Sequence, residues 1–205
     1  MKFVKRTSLL VLALMLALCL NACGLSGPDM PMEFTIDGHT VALGVTTTGE
    51  MAGWGWDVAF TGSQNEIRED AKYVACYYTI SKADGSGNEF WVTVYVPFQK
   101  NMSGNYVDFS AEEKQSLTEG VVCRVDVRRD ASQNFEITYN GVNLQDITWA
   151  KAGEWGAKEN EDAYPKTYEM DAAQGSLKFN KSYTDDEMGE LIVTMHSNAF
   201  AKLQK

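Results

Sequence analysis

Histidine is nearly absent: the chain has two, His39 and His196. A zinc site draws several His or Cys ligands from closely spaced positions, and no such cluster is written here. HExxH, GxSxG and the phosphate-cradling Walker pattern are also missing. A serine triad would have to recruit one of the two histidines, and no serine sits in a nucleophile-elbow context. Basic charge is short as well. Eighteen Lys and Arg stand against 28 Asp and Glu, for a formal charge of −10. That balance argues against nucleic acid, whose affinity rests on basic contacts, and against lying flat on anionic lipid. No apolar run approaches the ~20 residues that span a ~30 Å hydrocarbon core. The longest, Leu9–Leu20, is about half of that. No cofactor is implied, and the chain is expected not to be an enzyme.

What is present begins with that short apolar run. Lys2, Lys5 and Arg6 precede it, and Leu20-Asn21-Ala22-Cys23 closes it. A basic start, an apolar stretch of roughly 7–15 residues and a small residue before the exit make a secretory leader. The last four residues resemble the lipobox of bacterial lipoproteins, with Leu20 at minus three and Ala22 before the cysteine. Cys19 does not fit, because Leu18 is too large to precede the cut. The resemblance covers residues 1–23. It implies a diacylglycerol joined by a thioether to Cys23, cleavage after Ala22, and two fatty chains holding the protein on the extracytoplasmic face of the cell membrane. Two chains matter, because one gives only marginal, reversible binding. The mature part is similar in general texture to the small secreted lipoproteins of low-GC Gram-positive bacteria.

Loss of the leader removes three basic residues and takes the formal charge from −10 to −13. A chain of this length buries roughly 70% of its unfolded surface and folds without staples. Two further cysteines, Cys76 and Cys123, lie in the alternating stretches YVACYYTI and VVCRVDV. Outside the cell they are free to join in a disulfide. The other reading is a pair of buried thiols packed as small hydrophobes.

The fold class expected is α+β: antiparallel sheet with short helices. Asp37-Gly38 between alternating segments signals a hairpin. A threonine of the run Thr46-Thr47-Thr48 caps a short helix over Gly49-Glu50-Met51-Ala52 that runs into Trp54-Gly55. Strands are expected at 72–82, 89–98 and 121–127, with a brief helix at 111–117 and loop at 61–71. Slid against itself by 101 residues, the chain superposes Phe34 on Phe135, Ile36 on Ile137, Val41 on Val142 and Leu43 on Leu144. Thr47 falls on Thr148, Trp54-Gly55 on Trp155-Gly156, and Val92-Thr93 on Val193-Thr194. The organisation expected is a leader over 1–22, a spacer over 23–33 after the lipidated Cys23, a first α+β repeat with connecting strands over 34–134, and a second repeat over 135–205. Its last hairpin joins Ser176–Lys181 to Leu191–His196. Such tandem helix-plus-sheet units are similar in layout to the β-lactamase-inhibitor proteins, with no shared motif.

The matching sorts the tryptophans. Trp54 and Trp155 share a position and are read as core; Trp91 is a strand residue. Trp56 and Trp149 have no aromatic counterpart and sit beside glycine-rich turns. They are the candidate exposed surface for stacking a sugar or peptide. The acidic groups Glu159, Glu161, Asp162 and Asp185, Asp186, Glu187 read as solvated loops. Asp84 to Glu89 reads as a hairpin turn, not a calcium loop, since an EF-hand needs Gly sixth and Glu twelfth. The expected function is a lipid-anchored, non-catalytic binding or scaffolding module with a protein or glycan partner in the envelope. The alternatives are a protein-docking inhibitor or sensor domain and an envelope hydrolase using paired carboxylates.

Overall fold

The computed structural model describes residues 30–63, 73–84, 89–97, 120–163, 166–182 and 187–203. The fold is α+β: two antiparallel sheets with short helices. Cys23 and the helix expected at 111–117 lie outside the described residues.

The chain enters through β1 (Glu33–Ile36) and β2 (His39–Ala42). Their turn places Asp37 at φ 50° and Gly38 at φ 78°. Two left-handed residues in succession are the tight hairpin turn that Asp-Gly favours. Helix α1 (Thr48–Gly53) follows. The Thr47 hydroxyl accepts from the Glu50 amide, and the Glu50 carboxylate accepts from the Thr47 amide, which satisfies two of the orphan donors. Trp54 ends the helix, and Gly55 at φ 86° turns the chain into the next strand. A long meander comes next: β3 (Trp56–Ser63), β4 (Tyr73–Lys82), β5 (Phe90–Pro97) and β6 (Val121–Arg128).

After a 3-10 turn at Arg129–Gln133 the order of elements recurs. A hairpin of β7 (Ile137–Tyr139) and β8 (Val142–Asn143) turns at Asn140-Gly141, with φ 49° and 73°. Helix α2 (Trp149–Glu154) is capped by Thr148 and ends at Trp155, with Gly156 at φ 96°. The strands β9 (Lys158–Asn160), β10 (Thr167–Asp171), β11 (Gly175–Lys181) and β12 (Met188–Met195) form a second meander, and α3 (Ser197–Leu203) closes the described chain.

The small sheet has the order β2-β1-β7-β8 and the large one β3-β4-β5-β6-β12-β11-β10-β9. Both orders read alike from either end. β1 pairs with β7 at Thr35–Thr138, and β6 pairs with β12 through Val125–Val193. The strand correspondences therefore differ from those of the ungapped 101-residue offset. That offset lays β4 on β11 and β5 on β12, whereas the palindrome matches β5 with β11 and β6 with β12. The hairpins are also two residues out of step with it: Asp37-Gly38 corresponds to Asn140-Gly141, because fewer residues separate the second turn from its helix cap. β6, read as connecting text, is the fourth strand of the first meander. β3 falls partly where loop was expected, at Thr61–Ser63. Its Trp56, Val58 and Phe60 alternate toward Lys82, Ile80 and Tyr78 of β4. β9, β10 and α3 were not anticipated; β9 is a short, polar edge strand with no alternation to read.

One face of the large sheet is buried. Val74, Cys76, Tyr78 and Ile80 alternate inward from β4, Phe90, Val92, Val94 and Val96 from β5, and Leu191, Val193 and Met195 from β12. Phe34, Ile36, Val41, Ile137 and Tyr139 of the small sheet join them in a single cluster. The small sheet and its helices thus cover the inner face. Alternation along a half-buried strand dictates this split between faces.

Candidate functional site

The disulfide question resolves on strand order. Cys76 lies on β4 and Cys123 on β6, with β5 between them. Two strand spacings are about 10 Å, beyond the ~4.4–6.8 Å between Cα atoms that a disulfide bridges. Both are free and buried. Cys123 is the extra residue of a bulge, where Thr93 pairs with Arg124 and Val94 with Val122. Its thiol donates to the Thr93 carbonyl at 3.1 Å. Burial pushes the Cys76 thiol from 9.0 up to about 12 and raises Cys123 as well. Such thiols are poor nucleophiles, since the thiolate is the reactive form.

The two tryptophans proposed as one surface are neither alike nor adjacent. Trp56 is 6% exposed, so it is core and not a stacking surface. It is the hub of an aromatic cluster, edge to face with Trp54 at 5.1 Å, Phe90 at 5.9 Å and Phe135 at 5.7 Å. Trp54, expected to be core, is the more open of the pair. It stacks on His39 at 4.6 Å with an interplanar angle of 7°. The cause is local. In the second half Ala157 occupies the place after Trp155-Gly156 that Trp56 holds after Trp54-Gly55. With only a methyl group there, Trp155 packs on Tyr139 at 5.5 Å and Phe179 at 6.1 Å. In the first half Trp56 itself is buried, and Trp54, half-buried like Trp155, packs between Trp56 and His39. Asp37 and Lys82 form an ion pair beside the cluster, and the Lys82 ammonium sits 4.5 Å from the Phe135 ring centre.

Trp149 is half-buried at the start of α2. Its ring stacks on Tyr168 of β10 at 5.0 Å, tilted 28°. The Lys166 ammonium lies 5.2 Å from the Tyr168 ring centre and 5.9 Å from that of Trp149. It pairs with Glu159 at 2.9 Å, and the Tyr168 hydroxyl donates to the same carboxylate at 3.2 Å. That hydrogen-bonded pairing with Glu159 raises the Lys166 pKa and holds the amine charged. The result is an aromatic step with a fixed cation and carboxylate at its rim. Trp56 starts the edge strand β3, whereas Trp149 lies against β10, next to the other edge of the sheet; with Trp56 buried as well, the two do not form one stacking surface.

The outer face of the large sheet carries a second polar grouping. Arg124 grips Asp126 through Nε at 3.1 Å and Nη2 at 2.7 Å. Burial raises the Asp126 pKa, against the pull of Arg124. A carboxylate forked by a guanidinium is held as an acceptor and positions its neighbours. The remaining acidic candidates are also accounted for. Glu159 is committed to Lys166 and Tyr168, Glu187 pairs with Arg129, and Glu161 and Asp162 are exposed on a turn. Asp185 and Asp186 lie outside the described residues. His196 pairs with Asp171 at 3.3 Å. Among the described residues no three His, Cys, Asp or Glu side chains are grouped to hold a metal ion.

No protein-family model matches the chain, and neither a curated protein nor a solved structure matches it. Sequence reasoning reached Trp149 through its lack of an aromatic counterpart. It missed Tyr168 and Lys166, which come to Trp149 only through strand pairing.

Proposed function

We propose that this chain is a lipid-anchored, non-catalytic binding module of the cell envelope, held at the outer face of the membrane through Cys23, with the Trp149–Tyr168 step as its ligand surface. The observation that carries the binding assignment is the stacked ring pair rimmed by Lys166 and Glu159. Aromatic faces take up the apolar faces of sugar rings, and a fixed cation and carboxylate beside them supply orienting hydrogen bonds. A glycan of the envelope is the ligand class this favours. The tether is supported by the run from Lys2 to Cys23. The palindromic strand order supports an internal duplication of a hairpin, helix and meander. In that reading the two copies differ where Trp56 stands against Ala157 and where Thr48 stands against Trp149.

Two variants test the two parts separately. Cys23→Ser, expressed in cells fed an alkyne-tagged fatty acid, loses the label and leaves the membrane fraction. Retention of the label by Cys23→Ser refutes the tether. Trp149→Ala lowers co-sedimentation with purified cell-wall glycan by about tenfold or more, the share expected of a central aromatic contact worth ~1.4–2 kcal/mol. Equal sedimentation by wild type and variant refutes the glycan surface.

A further inference from the structure

Among the described residues three large hydrophobic side chains are exposed: Val45 at 69%, Leu203 at 47% and Tyr77 at 40%. Two of the three belong together. A methyl group built on Gly44 would meet Leu203 Cδ1 at 2.6 Å and Met195 Cε at 2.9 Å, so the tip of α3 lies against the residue next to Val45. The exposure of Val45 is enforced from both sides. The Gly44 amide donates to the Val122 carbonyl at 2.7 Å, and the Val122 amide donates to the Thr46 carbonyl at 2.8 Å. The loop is pinned to β6 on either side of Val45, and Thr46 is turned into the core.

This is also the end where the described chain begins. The Leu43 amide donates to the Met32 carbonyl at 2.8 Å, and Gln174 donates to the Met30 carbonyl at 3.3 Å. Tyr139 donates to the Pro31 carbonyl at 2.9 Å. Met30 is therefore anchored beside the β10–β11 turn, a few residues from Val45. Cys23 is seven residues before it, a reach of at most ~25 Å at ~3.5 Å per residue.

We propose that the end bearing Val45 and Leu203 rests on the bilayer that holds the lipid of Cys23, with both side chains entering the headgroup–acyl boundary. The proposal rests on the tethered reading above. Two apolar side chains would not recruit so acidic a protein from solution, and Glu33 and Asp171 at this end are exposed and disfavour anionic lipid. A tether changes the arithmetic. It converts docking into an intramolecular event at high effective concentration, so a contact too weak to bind alone is occupied. Lys202, beside Leu203 on α3, is the cation placed to meet lipid phosphate. The orientation turns the Asp37–Lys82 end, with the His39–Trp54 stack, away from the membrane.

The test uses the lipid-modified full chain in phosphatidylglycerol–phosphatidylcholine vesicles, with Val45→Cys or Leu203→Cys carrying an environment-sensitive nitrobenzoxadiazole dye. Cys76 and Cys123 are buried from the reagent. Ala83→Cys, on the exposed turn beside Lys82 at the far end, is the control. Docking predicts a blue shift and loss of iodide quenching at 45 and 203 on vesicles, with neither change at 83. If the protein floats with the vesicles while 45 and 203 remain as quenchable as 83, docking is overturned and the tether stands. If the lipid-modified chain does not float at all, the tether fails and docking fails with it.

Discussion

Replacing Trp56 with alanine removes the side chain on which the first half of the fold closes. The ring is 6% exposed and touches Trp54, His39, Phe90 and Phe135 edge to face. Truncating a buried tryptophan costs about 3–5 kcal/mol, as lost transfer energy plus a cavity that relaxes incompletely. In the second half, where Ala157 stands at this place, Trp155 packs on Phe179 and Tyr139. In the first half Trp54 packs on Trp56 itself as well as on His39, so the truncation also strips a partner from Trp54. Domains are stable by only ~5–15 kcal/mol, so a large share of the total is at stake. Urea unfolding of the unlipidated Cys23→Ser protein, followed by far-ultraviolet circular dichroism, reads it. With a slope near ~2 kcal/mol/M the midpoint falls by about 2 M. Trp149→Ala, which loses one half-exposed stack, costs less than about 1.5 kcal/mol and moves the midpoint by under ~0.7 M. A drop below about 0.5 M for Trp56→Ala, with unchanged slope, refutes the assignment of Trp56 as the hub.

The buried thiols make two further predictions. In native protein Cys76 and Cys123 stay unmodified by iodoacetamide while both react in denaturant, as peptide mass mapping shows; a disulfide-linked peptide in the unreduced digest contradicts the strand-order argument. The alkaline limb of stability follows from the raised Cys76 value. Its folded pKa of about 12 lies above the ordinary 9.0, so the unfolded chain sheds this proton first and stability falls between pH 9 and 12. Tyr95, raised from 10.0 to about 12 by burial, adds to the same limb. Cys76→Ala flattens the slope of the urea midpoint against pH over that window, and an unchanged slope refutes the assignment. At the helix caps, Thr47→Ala and Thr148→Ala each cost about 1 kcal/mol by the same urea assay. Thr47→Ala costs more, because the Thr47 hydroxyl also donates to the Glu50 carboxylate at 3.2 Å, a bond Thr148 lacks opposite Lys151; equal losses would show that this second bond adds nothing.

Features set by neighbours in sequence were legible beforehand. Asp37-Gly38 specifies its turn by backbone preference alone, the run Thr46-Thr47-Thr48 a threonine cap, and the alternation of β4, β5 and β6 its buried face; that Thr47 is the capping residue, its hydroxyl three residues from an open amide, is seen only in the fold. The α+β class follows from these. Trp54 and Trp56 show where such reading stops. Which of two tryptophans separated by one glycine faces the core depends on Phe90 and Phe135, distant residues that no local pattern names. The same holds for Trp149, whose partner Tyr168 arrives on β10 after an intervening edge strand. Cys76 and Cys123 each looked like a strand residue facing a core, and each is. Whether they met depended on β5 lying between them, a matter of strand order. The self-match at 101 residues aligned the two helix caps and their Trp-Gly ends. Elsewhere it lays β4 on β11 and β5 on β12 rather than following the palindromic strand order, because loops of unequal length separate the strands of the two halves.

The account depends most on the state of Cys23. A mass spectrum of the amino-terminal peptide, released by protease from protein purified out of the membrane fraction, addresses it directly. The account predicts a peptide that begins at Cys23 and carries the added mass of a diacylglycerol. A peptide that runs unbroken through Ala22 and Cys23 with a free thiol would contradict it.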